Sequence, residues 1–110
     1  MDHIIVDKLW GGEEIFANND LYCGKLLTCK DGIWSSNGKY HYHIIKDETF
    51  FIVEGELCLD LEEVKTITLK KGESYRVYPY TKHRFKSITN VCSFIEVSTH
   101  DDPSDSIRVD

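Results

Sequence analysis

The amino-acid sequence predicts an all-β domain on three observations. Apolar residues recur with the period of two that suits strands, no segment sustains the i, i+3, i+4, i+7 pattern of a long amphipathic helix, and turn-forming residues interrupt the chain at short intervals. With 110 residues there is room for one domain around one hydrophobic core. That domain is expected to span residues 1–110, with an N-terminal arm over about 1–20 and an acidic C-terminal tail over 100–110.

The first strand is expected at 21–29 and stops at Lys30-Asp31-Gly32, where residues that tolerate positive φ gather. Asn37-Gly38 is a second such break, before a strand at 39–45. A strand at 49–53 is joined tightly through Glu54-Gly55-Glu56 to the next, Glu56–Leu61. Another at 64–69 ends at Lys70-Lys71-Gly72-Glu73, and Ser74–Val77 follows. Pro79 has no N–H to donate, so 78–82 reads as a loop or an edge that leads into a strand at His83–Ser87. Val91–Ser98 completes a set of short strands that suits a barrel or a sandwich. Asp101-Asp102-Pro103-Ser104-Asp105 reads as a solvated, turn-rich end.

A net charge of −6 and basic residues scattered along the chain argue against a nucleic-acid partner, which needs a concentrated positive field. A small anion is still possible, because a local group of Lys and Arg can oppose the global sign. No apolar run approaches the ~20 residues of a membrane-spanning helix, so no membrane partner is expected. Cys23, Cys29, Cys58 and Cys92 lack CxxC spacing, and Met1-Asp2-His3 opens without the basic and apolar segments of a signal peptide. Reduced thiols packed as small hydrophobes, in the cytoplasm, are the expectation.

The chemistry concentrates around His41-Tyr42-His43. In a strand the period of two sends both imidazoles to one face and Tyr42 to the other. Glu48 follows closely enough to return beside the pair if the chain bends, and His83 arrives from a later loop. Three neutral imidazoles and one carboxylate suit a single divalent ion such as Zn, Mn, Fe, Co or Ni, with coordination positions left open.

These residues carry a family resemblance. His41-x-His43-x4-Glu48-x6-Gly55 resembles the first cupin motif, and Gly72 through Pro79, His83 and Asn90 resemble the second. The resemblance implies a cupin barrel, a double-stranded β-helix of the jelly-roll kind, with His41, His43, Glu48 and His83 as metal ligands. Trp10-Gly11-Gly12-Glu13-Glu14, Asn19 to Lys25, Lys46 to Phe50, His83-Arg84-Phe85 and Ile95 to His100, followed by Asp102, Asp105 and Ile107-Arg108, look like the small cupins related to type II phosphomannose isomerases and other sugar isomerases. That likeness implies aldose–ketose isomerisation of a sugar or sugar phosphate, as by a mannose-6-phosphate isomerase. A metal would polarise the C1 and C2 oxygens while a base moves a proton between the carbons.

Glu96 is the candidate base, since alternation with Phe94 and Ser98 sets it on one strand face. If that face is the interior, a carboxylate there needs the metal, a hydrogen bond or a substrate; otherwise Glu96 faces solvent. Arg84 and Lys46 are the other catalytic candidates. Arg84 offers a fork for hydroxyls or phosphate, although alternation after His83 turns it away and leaves a surface salt bridge as the other reading. Lys25, Lys39 and Tyr80 join Arg84 as substrate-binding candidates, with Arg76, Tyr40 and Tyr78 behind them. A non-catalytic sugar-binding cupin and an iron-dependent dioxygenase are the alternatives, because one barrel hosts many chemistries. A carbohydrate ligand and a homodimer formed through the sheets complete the expectation.

Overall fold

The computed structural model describes residues 3–62 and 65–109. Among these the regular structure is eleven antiparallel strands: β1 (Ile4–Lys8), β2 (Gly11–Asn18), β3 (Cys23–Lys30), β4 (Tyr40–His43), β5 (Glu48–Glu54), β6 (Glu56–Leu61), β7 (Lys65–Lys70), β8 (Ser74–Val77), β9 (His83–Ser87), β10 (Val91–Ser98) and β11 (Ser106–Val109). Two short 3-10 turns, Ser35–Gly38 and Pro103–Asp105, precede β4 and β11. A six-stranded sheet ordered β1-β2-β3-β10-β5-β8 faces a five-stranded sheet ordered β11-β4-β9-β6-β7, giving an all-β jelly roll with its core between the sheets.

Four predicted strands, β6, β8, β9 and β10, have the expected bounds, and four others differ by a few residues. The strand expected from 64 is seen as Lys65–Lys70, Val64 lying outside the described residues. The hairpin at Gly55 is as tight as expected: its φ is 78°, and a Cβ there would meet the Val91 carbonyl oxygen at 2.2 Å. Glycine alone fits both demands.

The two ends of the chain correct the reading. The stretch taken as an arm pairs as β1 and β2, with Val6 opposite Glu13 and Ile15 opposite Lys25. The acidic tail is not merely solvated. It forms β11, which pairs Ser106 with His43 and Arg108 with His41. Both additions lie toward one edge of their sheet, where long-range pairing, rather than a strong local pattern, decides the structure.

Inward-facing residues are graded along the strands. On β10 they run Cys92, Phe94, Glu96; on β3, opposite, Cys29, Leu27, Lys25; on β5, Ile52, Phe50, Glu48. One end of the interior is therefore apolar and the other charged. In the apolar end Phe94 packs at ring-centroid distances of 4.9 Å from Phe50 and 5.3 Å from Phe85. Each such buried side chain contributes roughly 1.5–3 kcal/mol by leaving water.

Candidate functional site

At the charged end lies a cavity of about 400 Å³, lined by residues of both sheets and of the C-terminal segment. β4 supplies His41 and His43, the first residue of β5 is Glu48, and the first residue of β9 is His83. His41 and His83 are direct cross-strand partners, so their rings meet at 4.2 Å between centroids. One nitrogen from each of His41, His43 and His83 falls within 4.8 Å of the others. Glu48 Oε2 is 3.1 Å from His43 Nε2 and 3.6 Å from His83 Nε2.

The imidazoles are held from behind. His43 Nδ1 donates to the Asp105 carbonyl at 2.9 Å and His83 Nδ1 to the Thr81 carbonyl at 2.8 Å. Carbonyls only accept, so each ring carries a proton on Nδ1 and turns Nε2 inward, the atom that offers a lone pair to a metal when the ring is neutral. His41 Nδ1 lies 3.4 Å from the Ser36 hydroxyl. Despite their proximity, Glu48 Oε2 and His83 Nε2 are both buried without a hydrogen-bond partner among the described residues. Orphaned buried acceptors of this kind are costly, and a divalent cation among them would satisfy both. The donor set fits such an ion.

The electrostatics differ from ring to ring: burial opposes the His43 charge, but the neighbouring Glu48 outweighs it and raises that imidazole. Burial, with His83 nearby, pushes the His41 imidazole down to about 3, so it stays neutral and able to ligate. His83 is also pushed down, chiefly by burial. Burial disfavours the Glu48 carboxylate, but His43 and His83 outweigh it and hold the group at about 2. Its charge is therefore available to a cation.

A second cluster shares the cavity. The loop between β4 and β5 turns Lys46 inward, where its Nζ lies 2.6 Å from Glu96 Oε2 and 2.9 Å from Asp101 Oδ1. Lys25 contacts Glu13 at 3.1 Å and the same Asp101 oxygen at 3.2 Å. Glu96 faces the interior, is 4% exposed and also accepts from the Ser98 hydroxyl. Burial, reinforced by Glu48, raises the Glu96 carboxyl to about 7 against the pull of Lys46 and Lys25. Burial opposes the Lys46 charge, yet Glu96 and Glu48 hold its ammonium protonated far above the usual range.

Asp105 organises both clusters. Its carboxylate accepts the backbone N–H groups of Ile44, Ile45 and Lys46 at 2.9–3.2 Å, while its carbonyl orients His43. One residue thus fixes a histidine and the loop that carries Lys46. Asp101 is in turn tied to Asn18 on β2 by reciprocal hydrogen bonds.

The structure separates the predicted residues into two groups. His41, His43, Glu48, Lys25, Lys46 and Glu96 line the cavity, with His83 buried against them. Arg84, Lys39 and Tyr80 are not among the residues that line this cavity. Arg84 follows the inward His83 and turns outward, where it bonds Asp60 and the Gly38 carbonyl and lies over the Trp34 and Tyr40 rings. Lys39 lines a separate hollow with Tyr40 and Glu62. Tyr80 adopts a left-handed φ of 67° in the turn after Pro79 and stacks on the outward Tyr42. Arg76 is exposed and paired with Asp47. Glu13, Asp101, Asp105, Lys8 and Arg108 are given no site role by the sequence, although Glu13, Asp105 and Arg108 stand in segments that carry the resemblance; they reach the site from the two chain ends.

Comparison with known proteins agrees with this geometry. A family model for the cupin domain matches residues 35–98, more than half of the chain. YdbB of Bacillus subtilis strain 168, described as uncharacterized, is 32% identical over 63 residues, which cover 54% of this chain and 56% of YdbB. The match thus spans only about half the length of that relative. KdgF from Halomonas sp. superposes with a TM-score of 0.78 at 17% identity, over 94% of this chain and 90% of KdgF. A variant of Streptomyces PAC13 with uridine gives 0.81 at 11% identity, over 97% and 84%. At such identities the structural likeness speaks for the fold.

Proposed function

The chain belongs to the cupin family, and we propose that it is a metal-dependent member that isomerises a sugar or sugar phosphate between aldose and ketose, as a mannose-6-phosphate isomerase does. One observation carries the reading: a buried carboxylate and a buried ammonium, Glu96 and Lys46, lie 2.6 Å apart on the wall of the cavity that His41, His43 and Glu48 also line. Such a pair is costly to bury and is expected where chemistry uses it.

In this reading His41, His43, Glu48 and His83 hold one divalent ion, of Zn, Mn, Fe, Co or Ni. When bound, the ion would supply Lewis-acid polarisation of the sugar oxygens. Glu96 takes the proton from C2 of the aldose and returns it to C1, its raised pKa matching the task of a base near neutral pH. Lys46 gives a proton to O1 and recovers one from O2, so the exchange balances. Ser98 and Lys46 hold the Glu96 carboxylate in place. A non-catalytic sugar-binding cupin is the second reading, favoured by that same engagement of Glu96 by two partners.

Carbohydrate turnover separates the two. Metal-loaded protein is incubated in deuterated water with mannose 6-phosphate, fructose 6-phosphate and free aldoses, and followed by NMR. Ketose formation, or deuterium entering C2, is expected, and Glu96→Gln should abolish it with metal content unchanged. Bound metal without exchange favours the binding module. A homodimer is part of the proposal; exposed Phe51 and Val97 on the outer face of the six-stranded sheet support it, and light scattering of the purified chain checks it.

A further inference from the structure

The cations expected to attract an anionic ligand are already engaged. Lys25 and Lys46 are buried in contact with Glu13, Glu96 and Asp101, and Arg76 is paired with Asp47 outside the cavity. With Glu48 included, carboxylates outnumber ammonium groups on the buried wall, so that wall does not invite a further negative charge. Two other cations line the cavity. Lys8 ends β1 on one sheet, and Arg108 lies in β11 at the edge of the other.

Arg108 is the direct cross-strand partner of His41, and directly opposed residues in an antiparallel pair project to the same face. Its guanidinium therefore shares the inner face with a candidate metal ligand. Lys8 lies two residues beyond Val6, which lines the same cavity. Both cations are exposed, which places them at the opening. Among the described residues neither has an ion pair or side-chain hydrogen bond, in contrast to Lys25 and Lys46. Asp102 also lines the cavity, with its Oδ1 engaged by the N–H and hydroxyl of Ser104.

We propose that Lys8 and Arg108 form an anion-recognition pair at the cavity mouth, so that the ligand is a sugar bearing one anionic group, phosphate or carboxylate. The inference rests on the carbohydrate reading of the cavity. The anionic group lies outward against the two cations, and the hydroxyl and carbonyl end reaches inward toward the histidines and Glu96. Guanidinium suits either anion through paired N–H donors.

Calorimetric titration of the metal-loaded chain tests this with mannose, mannose 6-phosphate, glucose, glucuronate and inorganic phosphate, in the native protein and in a Lys8→Gln, Arg108→Gln double variant. At low ionic strength mannose 6-phosphate or glucuronate should bind about tenfold tighter than its neutral parent, an advantage that falls with added salt. The double variant should lose that advantage and retain its metal content and its affinity for neutral sugar. Preference for the phosphate or the uronate then identifies the anion. Equal binding of charged and neutral sugars, or an advantage that survives the double variant, overturns the pair and leaves the carbohydrate reading standing. If no sugar binds, saturable phosphate binding lost in the double variant keeps the anion site and discards the carbohydrate reading. Absence of both discards both.

Discussion

The two ends of the barrel interior are built on the same strands and differ in chemistry. β3, β5 and β10 each pass from Cys29, Ile52 and Cys92 at one end to Lys25, Glu48 and Glu96 at the other. The apolar end is filled by Phe50, Phe94, Leu57 and Leu59, all at most 1% exposed. The charged end keeps a cavity and, among the described residues, two buried acceptors without hydrogen-bond partners. Stability is thus concentrated at one end, while the other holds groups that are unfavourable to bury unless something else satisfies them. Spatial separation lets the same short strands do both.

Paired substitutions, one at each end, should act separately on metal binding and on stability. His41→Ala removes one of the proposed ligands and is expected to reduce metal affinity by at least about a hundredfold, more than loss of a supporting contact would. Its denaturation midpoint without metal should stay near that of the native chain. Phe94→Ala should do the reverse, destabilising the fold by about 3–5 kcal/mol with unchanged metal stoichiometry in the folded fraction. Metal titration and chemical denaturation of the two variants side by side check both. If each change affected metal and stability alike, the two ends would not be separable.

Asp105 sharpens the boundary. Asp105→Ala leaves three backbone N–H groups without their acceptor and loosens the segment whose carbonyl orients His43. Metal affinity should fall by about 10–100-fold, the range for groups that orient a ligand. Chelator competition measures it.

Acid should expose the unfavourable end when metal is absent. His41 is held at about 3 against an ordinary 6.5, so the unfolded chain takes up its proton first and stability falls as pH drops between these values. Glu48, at about 2 against 4.5, adds a loss of the same sign below 4.5. Glu96, raised to about 7, contributes oppositely between 7 and 4.5 and nothing further below that. The stability of the chelator-treated chain should therefore drop most steeply from pH 4.5 to 3, as followed by circular dichroism. A flat profile there would contradict the burial of these groups. The smallest effect belongs to Arg84→Gln, whose partly exposed contacts with Asp60 and Trp34 predict a loss of at most about 1 kcal/mol and no change in metal content.

The same contrast explains what could be read in the sequence. Period-two alternation reported the central strands and the shared face of His41 and His43, because each strand carries that information locally. Alternation set Glu96 on the face of Phe94 but left open whether that face was the interior, which the structure decides. Alternation also foretold that Arg84 would turn from His83, and the structure follows it. What was hidden depends on chain ends meeting the middle: β11 with β4, Asp105 with the Ile44–Lys46 backbone, and Asp101 with both lysines. An acidic, Pro-containing tail looks the same from its composition whether it is solvated or docked. Only the pairing with β4 distinguishes the two.

In the proposed site His41, His43, Glu48 and His83 together bind one divalent ion. Elemental analysis of the purified native chain and of His83→Ala, each after incubation with Zn, Mn, Co, Ni and Fe(II) and removal of excess, tests it most directly. One ion per native chain and almost none in the variant is the predicted result. No metal in the native chain, or full occupancy in His83→Ala, would contradict it.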